Sequence, residues 1–213
     1  MIIQYKKVTF NLSILLLLLT FQVVFTIDTV NANNIQLTDK QARALQSLNT
    51  EPQSQTTKSL RLKITTLADN QGQKYLGALV SRAELSPYLT QLQQLLAEEF
   101  NDYRALQAAR DHHLFHLTLL SPREYQLADK AIVEKLLAPD FNQSFSSQLN
   151  VTLLGLGKVA QGSKTSFFVV AQSADAQLIR QHFILAAKDF HITLGFNPSD
   201  IYGVNKGRST LID

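Results

Sequence analysis

Two rhythms alternate along the chain. Leu60-Arg61-Leu62-Lys63-Ile64 places apolar side chains at every second position, as a half-buried strand does, and Tyr75–Val80 is a second apolar run. Asp69-Asn70-Gln71-Gly72 between them is turn chemistry, so 60–80 is predicted to form a β-hairpin. From Leu85 the period changes. Leu85, Leu89, Leu92, Leu95 and Leu96 recur at helical spacing as far as Phe100, with Ser86-Pro87 as N-cap and first helical residue. A polar stretch then leads to a strand over Leu114–Leu120.

The same order returns in the second half. Strands are expected at Leu149–Leu154 and Ser166–Ala171, joined through Gly155, Gly157 and Gly162. Ser173 caps a helix running to about Leu185, with Leu178, Ile179 and Phe183 as its apolar stripe, and Phe190–Phe196 follows as a strand. Arg123–Ala138 is helical by pattern, stops before Pro139 and joins the halves. Strand–strand–helix–strand therefore occurs twice. The predicted fold is α+β: two pseudo-symmetric lobes with antiparallel sheets and flanking helices around a central cleft.

Residues 1–32 follow a different pattern. Lys6 and Lys7 precede the almost wholly apolar Leu12–Phe25, and Val30-Asn31-Ala32 supplies small or apolar residues at the −3 and −1 positions of a cleavage site. This is the pattern of an export signal, and the expected location is the periplasm or the exterior. A retained anchor over Val8–Ile27 is the competing reading, opposed by Asn11, Ser13, Thr20 and Gln22 within it. Residues 33–59, rich in Gln, Ser and Thr and containing Pro52, read as a polar lead-in and linker, which leaves 60–213 as the folded domain.

Composition narrows the chemistry. The chain has 213 residues, 45% of them hydrophobic and 17% charged, enough for one domain with its own core. Absence of cysteine excludes disulfides, cysteine zinc sites, iron–sulfur clusters and thiol nucleophiles, so after export the core alone must supply stability. Loss of Lys6, Lys7 and Asp28 with the signal lowers the formal charge from +3 to +2. That balance suits a small anionic ligand and offers no basic stripe for extended RNA or DNA.

Two histidines stand out because each heads the same strand pattern. In His116-Leu117-Thr118-Leu119 and His191-Ile192-Thr193-Leu194, residues i and i+2 share a face. His116 with Thr118, and His191 with Thr193, then project together while the intervening apolar residues enter the core. Packing of the lobes about a pseudo-dyad brings the two faces into one cleft. Two imidazoles there can divide the roles of proton acceptor and donor, beside two hydroxyls able to bond anionic oxygens. Other chemistries find less support. His112 and His113 face opposite ways on one strand and lack a matching acidic cluster, so they read as turn or strand-entry residues rather than metal ligands. His182 falls among apolar residues of a helix. Gly155-Leu156-Gly157-Lys158 lacks the Ser/Thr and helix of a phosphate loop, and no GxSxG occurs.

The paired His-hydrophobic-Thr-hydrophobic strands resemble the 2H phosphoesterase superfamily. Tyr75-Leu76-Gly77-Ala78-Leu79-Val80-Ser81, Phe115–Pro122, His191–Phe196 and the tail Asp200-Ile201-Tyr202-Gly203-Val204-Asn205-Lys206 are similar to its Swiss Army Knife, RNA-repair-like branch. The likeness runs from about Leu60 to the C-terminus; Tyr202 stands where that branch often has histidine. The resemblance implies a bilobal fold and metal-independent, cofactor-free hydrolysis of a 2′,3′-cyclic phosphate on a nucleotide or RNA end. His116 and His191 would be the catalytic pair, and Thr118 and Thr193 would hold the non-bridging oxygens. Lys206 is a candidate counter-charge for phosphate, or else a solvated lysine in a glycine-flanked tail. The alternative is a module on the same fold that binds a nucleotide or RNA end without turnover, with Tyr75, Tyr125 and Tyr202 as stacking candidates.

Overall fold

A computed structural model describes residues 57–138 and 147–212. The signal, the first part of the lead-in and Pro139 lie outside them. Six antiparallel strands form the framework: β1 (Lys58–Ala68), β2 (Lys74–Val80), β3 (Phe115–Leu120), β4 (Gln148–Gln161), β5 (Lys164–Gln172) and β6 (Phe190–Asn197), in the sheet order β3-β2-β1-β4-β5-β6. The order reads outward in the same sense from a central β1–β4 pair, so the two halves of the chain are related as expected. β1 begins two residues earlier than the pattern indicated.

A division of labour within β1 accounts for both one sheet and two lobes. Lys58–Lys63 pairs with β4, whereas Ile64–Ala68 pairs with β2. Each lobe thus carries its histidine strand on the outer side, and β3 and β6 come near one another across the cleft. The first hairpin turns as predicted: the Asp69 side chain accepts from the backbone of Gln71 and Gln73, at 2.9 and 2.8 Å, and Gly72 takes φ +77°.

Helices α1 (Ser86–Leu96), α2 (Phe100–Arg110), α3 (Pro122–Leu127), α4 (Lys130–Leu137) and α5 (Ala174–His182) complete the described fold. Leu89 and Leu92 of α1, Val133 and Leu136 of α4, and Ala176 and Ile179 of α5 share one core with Leu117, Leu119, Ile192 and Leu194 of the histidine strands. Ser173 caps α5 by accepting from the Ala176 amide at 3.1 Å, as anticipated.

Four local readings need correction. Ser86 is not the N-cap of α1: Leu85 holds that place without a side-chain cap bond, and Ser86 is already helical. The stretch after Phe100 is a second helix, α2, reached through a 3₁₀ turn at Ala97–Glu99. Its inward side carries Tyr103 and the polar Arg104 and Gln107, so no apolar stripe announces it. Arg123–Ala138 is two helices. Ser121 and Glu124 form a capping box for α3, and Asp129 caps α4 after the extended Ala128. Gly155 and Gly157 lie inside the long strand β4, and only Gly162 belongs to the turn.

Candidate active site

The histidine strands repeat each other beyond the motif. β3 pairs with β2 so that His116 faces Leu79 and Thr118 faces Gly77, after which the register shifts by one residue. β6 pairs with β5 so that His191 faces Val170 and Thr193 faces Phe168, with the same shift at the same place. The extra residue is Leu119 in one strand and Leu194 in the other. A bulge frees a carbonyl from the ladder, and both are claimed by an arginine from the opposite half. Arg180 of α5 donates to the Leu119 carbonyl at 2.9 Å, and Arg104 of α2 donates to the Leu194 carbonyl. α2 approaches β6 so closely that a side chain at Gly195 would lie 3.0 Å from the Tyr103 Cβ.

His116, Thr118, His191 and Thr193 line one cavity of about 490 Å³. The Tyr75 ring lies 5.4 Å from that of His116, and the Phe168 ring 5.5 Å from that of His191. Lys206 lines an adjoining arm of about 460 Å³, which shares Thr118 and His191 with the first. All five residues singled out in the sequence therefore meet around one cleft. Lys206 is buried, and its ammonium donates to Asp200 at 3.0 Å, so it is not a solvated tail lysine.

Asp200 organises the floor between the arms. Its Oδ1 accepts from Ser166 Oγ at 2.7 Å and from the Ile201 amide at 2.8 Å as well as from Lys206, while its Oδ2 accepts from Arg110. Burial favours the neutral acid, but the charges of Lys206 and Arg110 prevail and hold Asp200 at about 2. Arg110 is also gripped by Asp111 through two bonds of 2.7 Å and donates to the Tyr202 hydroxyl at 3.2 Å. None of Arg110, Asp111 or Asp200 was assigned a role from sequence. Asp200 was visible only as part of the tail similarity, and Arg110-Asp111 had no signal beyond standing shortly before His116.

The two imidazoles sit in different fields. Burial lowers the pKa of His191 to about 3, helped by the positive charge of Lys206. His191 Nδ1 is buried and has no hydrogen-bond partner. His116 is also lowered, by burial and by the charge of Arg110, with Asp111 and Asp200 pulling against that shift. His112 and His113 occupy the turn before β3, both with positive φ, and His112 reaches the cavity wall. Tyr75 is a buried wall residue whose hydroxyl is pushed up to about 12 by burial; Tyr202 is exposed and borders both arms. Tyr125 packs on the core beneath Lys130, away from the cavity. Among the described residues no cluster of three or more His, Cys, Asp or Glu side chains is placed to hold a metal ion.

The fold is thus a duplicated α+β unit with one His-x-Thr strand per half, the two strands meeting in one cleft. A family model described as Swiss Army Knife, 2H phosphoesterase domain, matches residues 83–202, more than half the chain and both motifs, and the protein belongs to that family. No curated protein and no solved structure matches it.

Proposed function

We propose that the protein hydrolyses a cyclic phosphodiester, the 2′,3′-cyclic phosphate of a nucleotide or RNA end, by two-histidine acid–base catalysis. The observation that carries this reading is the convergence of His116, Thr118, His191 and Thr193 on one cavity from two different strands. His191, held neutral by burial and Lys206, takes a proton from water as its oxygen bonds to phosphorus. The bond from phosphorus to one ribose oxygen breaks, and His116, the less strongly lowered of the two and supported against burial and Arg110 by Asp111 and Asp200, gives its proton to that oxygen. Thr118 and Thr193 donate to the non-bridging oxygens, where charge accumulates in the transition state. No cofactor enters this scheme. Export, read from residues 1–32, makes the substrate one met outside the cytoplasm, such as scavenged nucleotides.

Exposed Tyr202, bordering both arms, favours a second reading in which the cleft binds a nucleotide or RNA end without turnover. One experiment separates them: hydrolysis of 2′,3′-cyclic AMP in EDTA by the wild type, His116→Ala and His191→Ala. The enzyme reading expects turnover in the wild type and its loss in both folded variants. Equal turnover in all three overturns the two-histidine scheme, and binding without turnover in the wild type selects the second reading.

A further inference from the structure

The two arms of the cleft are electrostatically unlike. In the larger arm Asp69 and Asp111 line the wall, and its one arginine, Arg110, is already taken by Asp111 and Asp200. Leu67, Leu79 and Leu114 give that arm an apolar side, and Asn70 and Gln71 add amides. Such a lining suits an uncharged, flat, hydrogen-bonding group such as a nucleobase. In the smaller arm Lys188 and Lys206 stand with Ser121, beside Asp189, which is exposed, and Asp200, whose charge is answered by Arg110 and Lys206.

Lys188 is the cation of that arm left without an ion pair among the described residues. Its backbone is fixed through Gln177, which donates to the Lys188 carbonyl at 2.7 Å and accepts from its amide at 3.2 Å. Glu124, the carboxylate whose charge reaches Lys188, is bonded to Arg180 at 2.8 Å and to the Ser121 hydroxyl at 2.9 Å. The side chain is half-buried, which removes part of its hydration, and its charge also reaches His191. A partly desolvated ammonium beside the reacting centre, held in no ion pair among the described residues, is suited to a phosphate.

We propose that the arm built around Lys188 binds a second phosphate, so that the preferred substrate is a nucleotide carrying a 5′-phosphate besides its cyclic phosphate. The inference rests on the cyclic-phosphodiester reading for the reacting group, and adds the substrate class. Thr118 and His191, shared by both arms, place the cyclic phosphate between the base and the 5′-phosphate.

The test compares KM for adenosine 2′,3′-cyclic phosphate and for its 5′-phosphorylated counterpart, using the full chain, Lys188→Gln and Lys188→Arg. A charge-assisted contact contributes about 1.5–3 kcal/mol, or roughly tenfold to a hundredfold. The wild type should favour the 5′-phosphorylated substrate by at least about tenfold. Lys188→Gln should bring the ratio near one, and Lys188→Arg should retain most of it. Hydrolysis of both substrates with equal KM in the wild type overturns the inference and leaves the reaction standing. If neither is hydrolysed, the reaction is what fails, and calorimetry with adenosine 3′,5′-bisphosphate and adenosine 3′-monophosphate decides the inference. A wild-type preference for the bisphosphate that Lys188→Gln removes upholds it; equal affinities overturn it.

Discussion

The half that ends in β3 and the half that ends in β6 present the same strand, His-x-Thr followed by a bulged leucine, yet they surround it differently. At His116 burial and the charge of Arg110 disfavour the protonated form, and Asp111 and Asp200 oppose them in part. At His191 burial, Lys206 and Lys188 disfavour the charged form, with Asp200 opposing them. Both imidazoles are pushed toward the neutral form, His191 to about 3 and His116 below its ordinary value. The motif supplies the two imidazoles, and what stands behind each one sets how far its pKa is lowered.

The sharpest way to break this comparison is to remove either imidazole. His116→Ala and His191→Ala should each lower kcat by about 10²–10⁴-fold, the usual contribution of a general acid or base, with melting temperatures recorded alongside. A large loss in one variant only would mean that a single histidine carries the chemistry. Next in size is Asp200→Asn, which strips the buried partner from both Arg110 and Lys206. Removing one member of a buried ion pair costs about 3–5 kcal/mol, to be measured by urea unfolding. A change below about 1 kcal/mol would show that Asp200 is not the hub the contacts indicate.

The pH dependence tests the asymmetry directly. Catalysis by neutral His191 and protonated His116 requires kcat/KM to rise as His191 deprotonates, near pH 3, and to fall as His116 deprotonates, below its ordinary 6.5. The optimum should therefore be acidic. Lys206→Met removes a charge that depresses His191 and should move the rising limb to higher pH, whereas Asp111→Asn should move the falling limb to lower pH. An optimum at pH 8 or above would show that the two histidines are not lowered as their surroundings require. Stability follows the same sign: a histidine whose folded pKa lies below its unfolded value costs stability progressively as pH falls from about 6.5 toward 3. His191→Gln should flatten that part of the unfolding profile.

The smallest expected effect concerns the hydroxyls. Thr118→Val and Thr193→Val should each reduce kcat about tenfold or more, with KM little changed, if each hydrogen bond strengthens in the transition state. An effect on KM alone would assign the hydroxyls to ground-state binding.

Legibility from sequence followed the physics of each element. β1, β2 and the histidine strands were readable because alternation marks a half-buried strand, and the duplicated His-x-Thr pattern fixed which side chains share a face. α2 was hidden because Arg104 and Gln107 turn inward to satisfy the Leu194 and Leu114 carbonyls, which leaves a helix with a polar inner side. No change of pattern marks the break between α3 and α4, because both segments are helical by composition and Asp129 acts as a cap only through its local backbone. Arg110, Asp111 and Asp200 carry no pattern in the sequence for a similar reason. They are separated by up to 90 positions, and nothing periodic connects a guanidinium on a helix to a carboxylate beyond the last strand. Lys206 was singled out, but its pairing with Asp200 could not be read from residues six apart in an irregular tail.

The reciprocal arginines have a consequence for the ancestry and divergence of such a molecule. With Arg180 bonded to the Leu119 carbonyl and Arg104 to that of Leu194, each half finishes the other's active strand, as two subunits do across an isologous dimer interface. A true dimer of identical halves must encode both ends of its pocket with one stretch of gene, so any residue that makes one histidine more basic does the same to its twin. Fusion into a single polypeptide lifts that constraint. Lys206 and Asp111 then become independent letters, and a symmetric cradle can evolve into one with a direction.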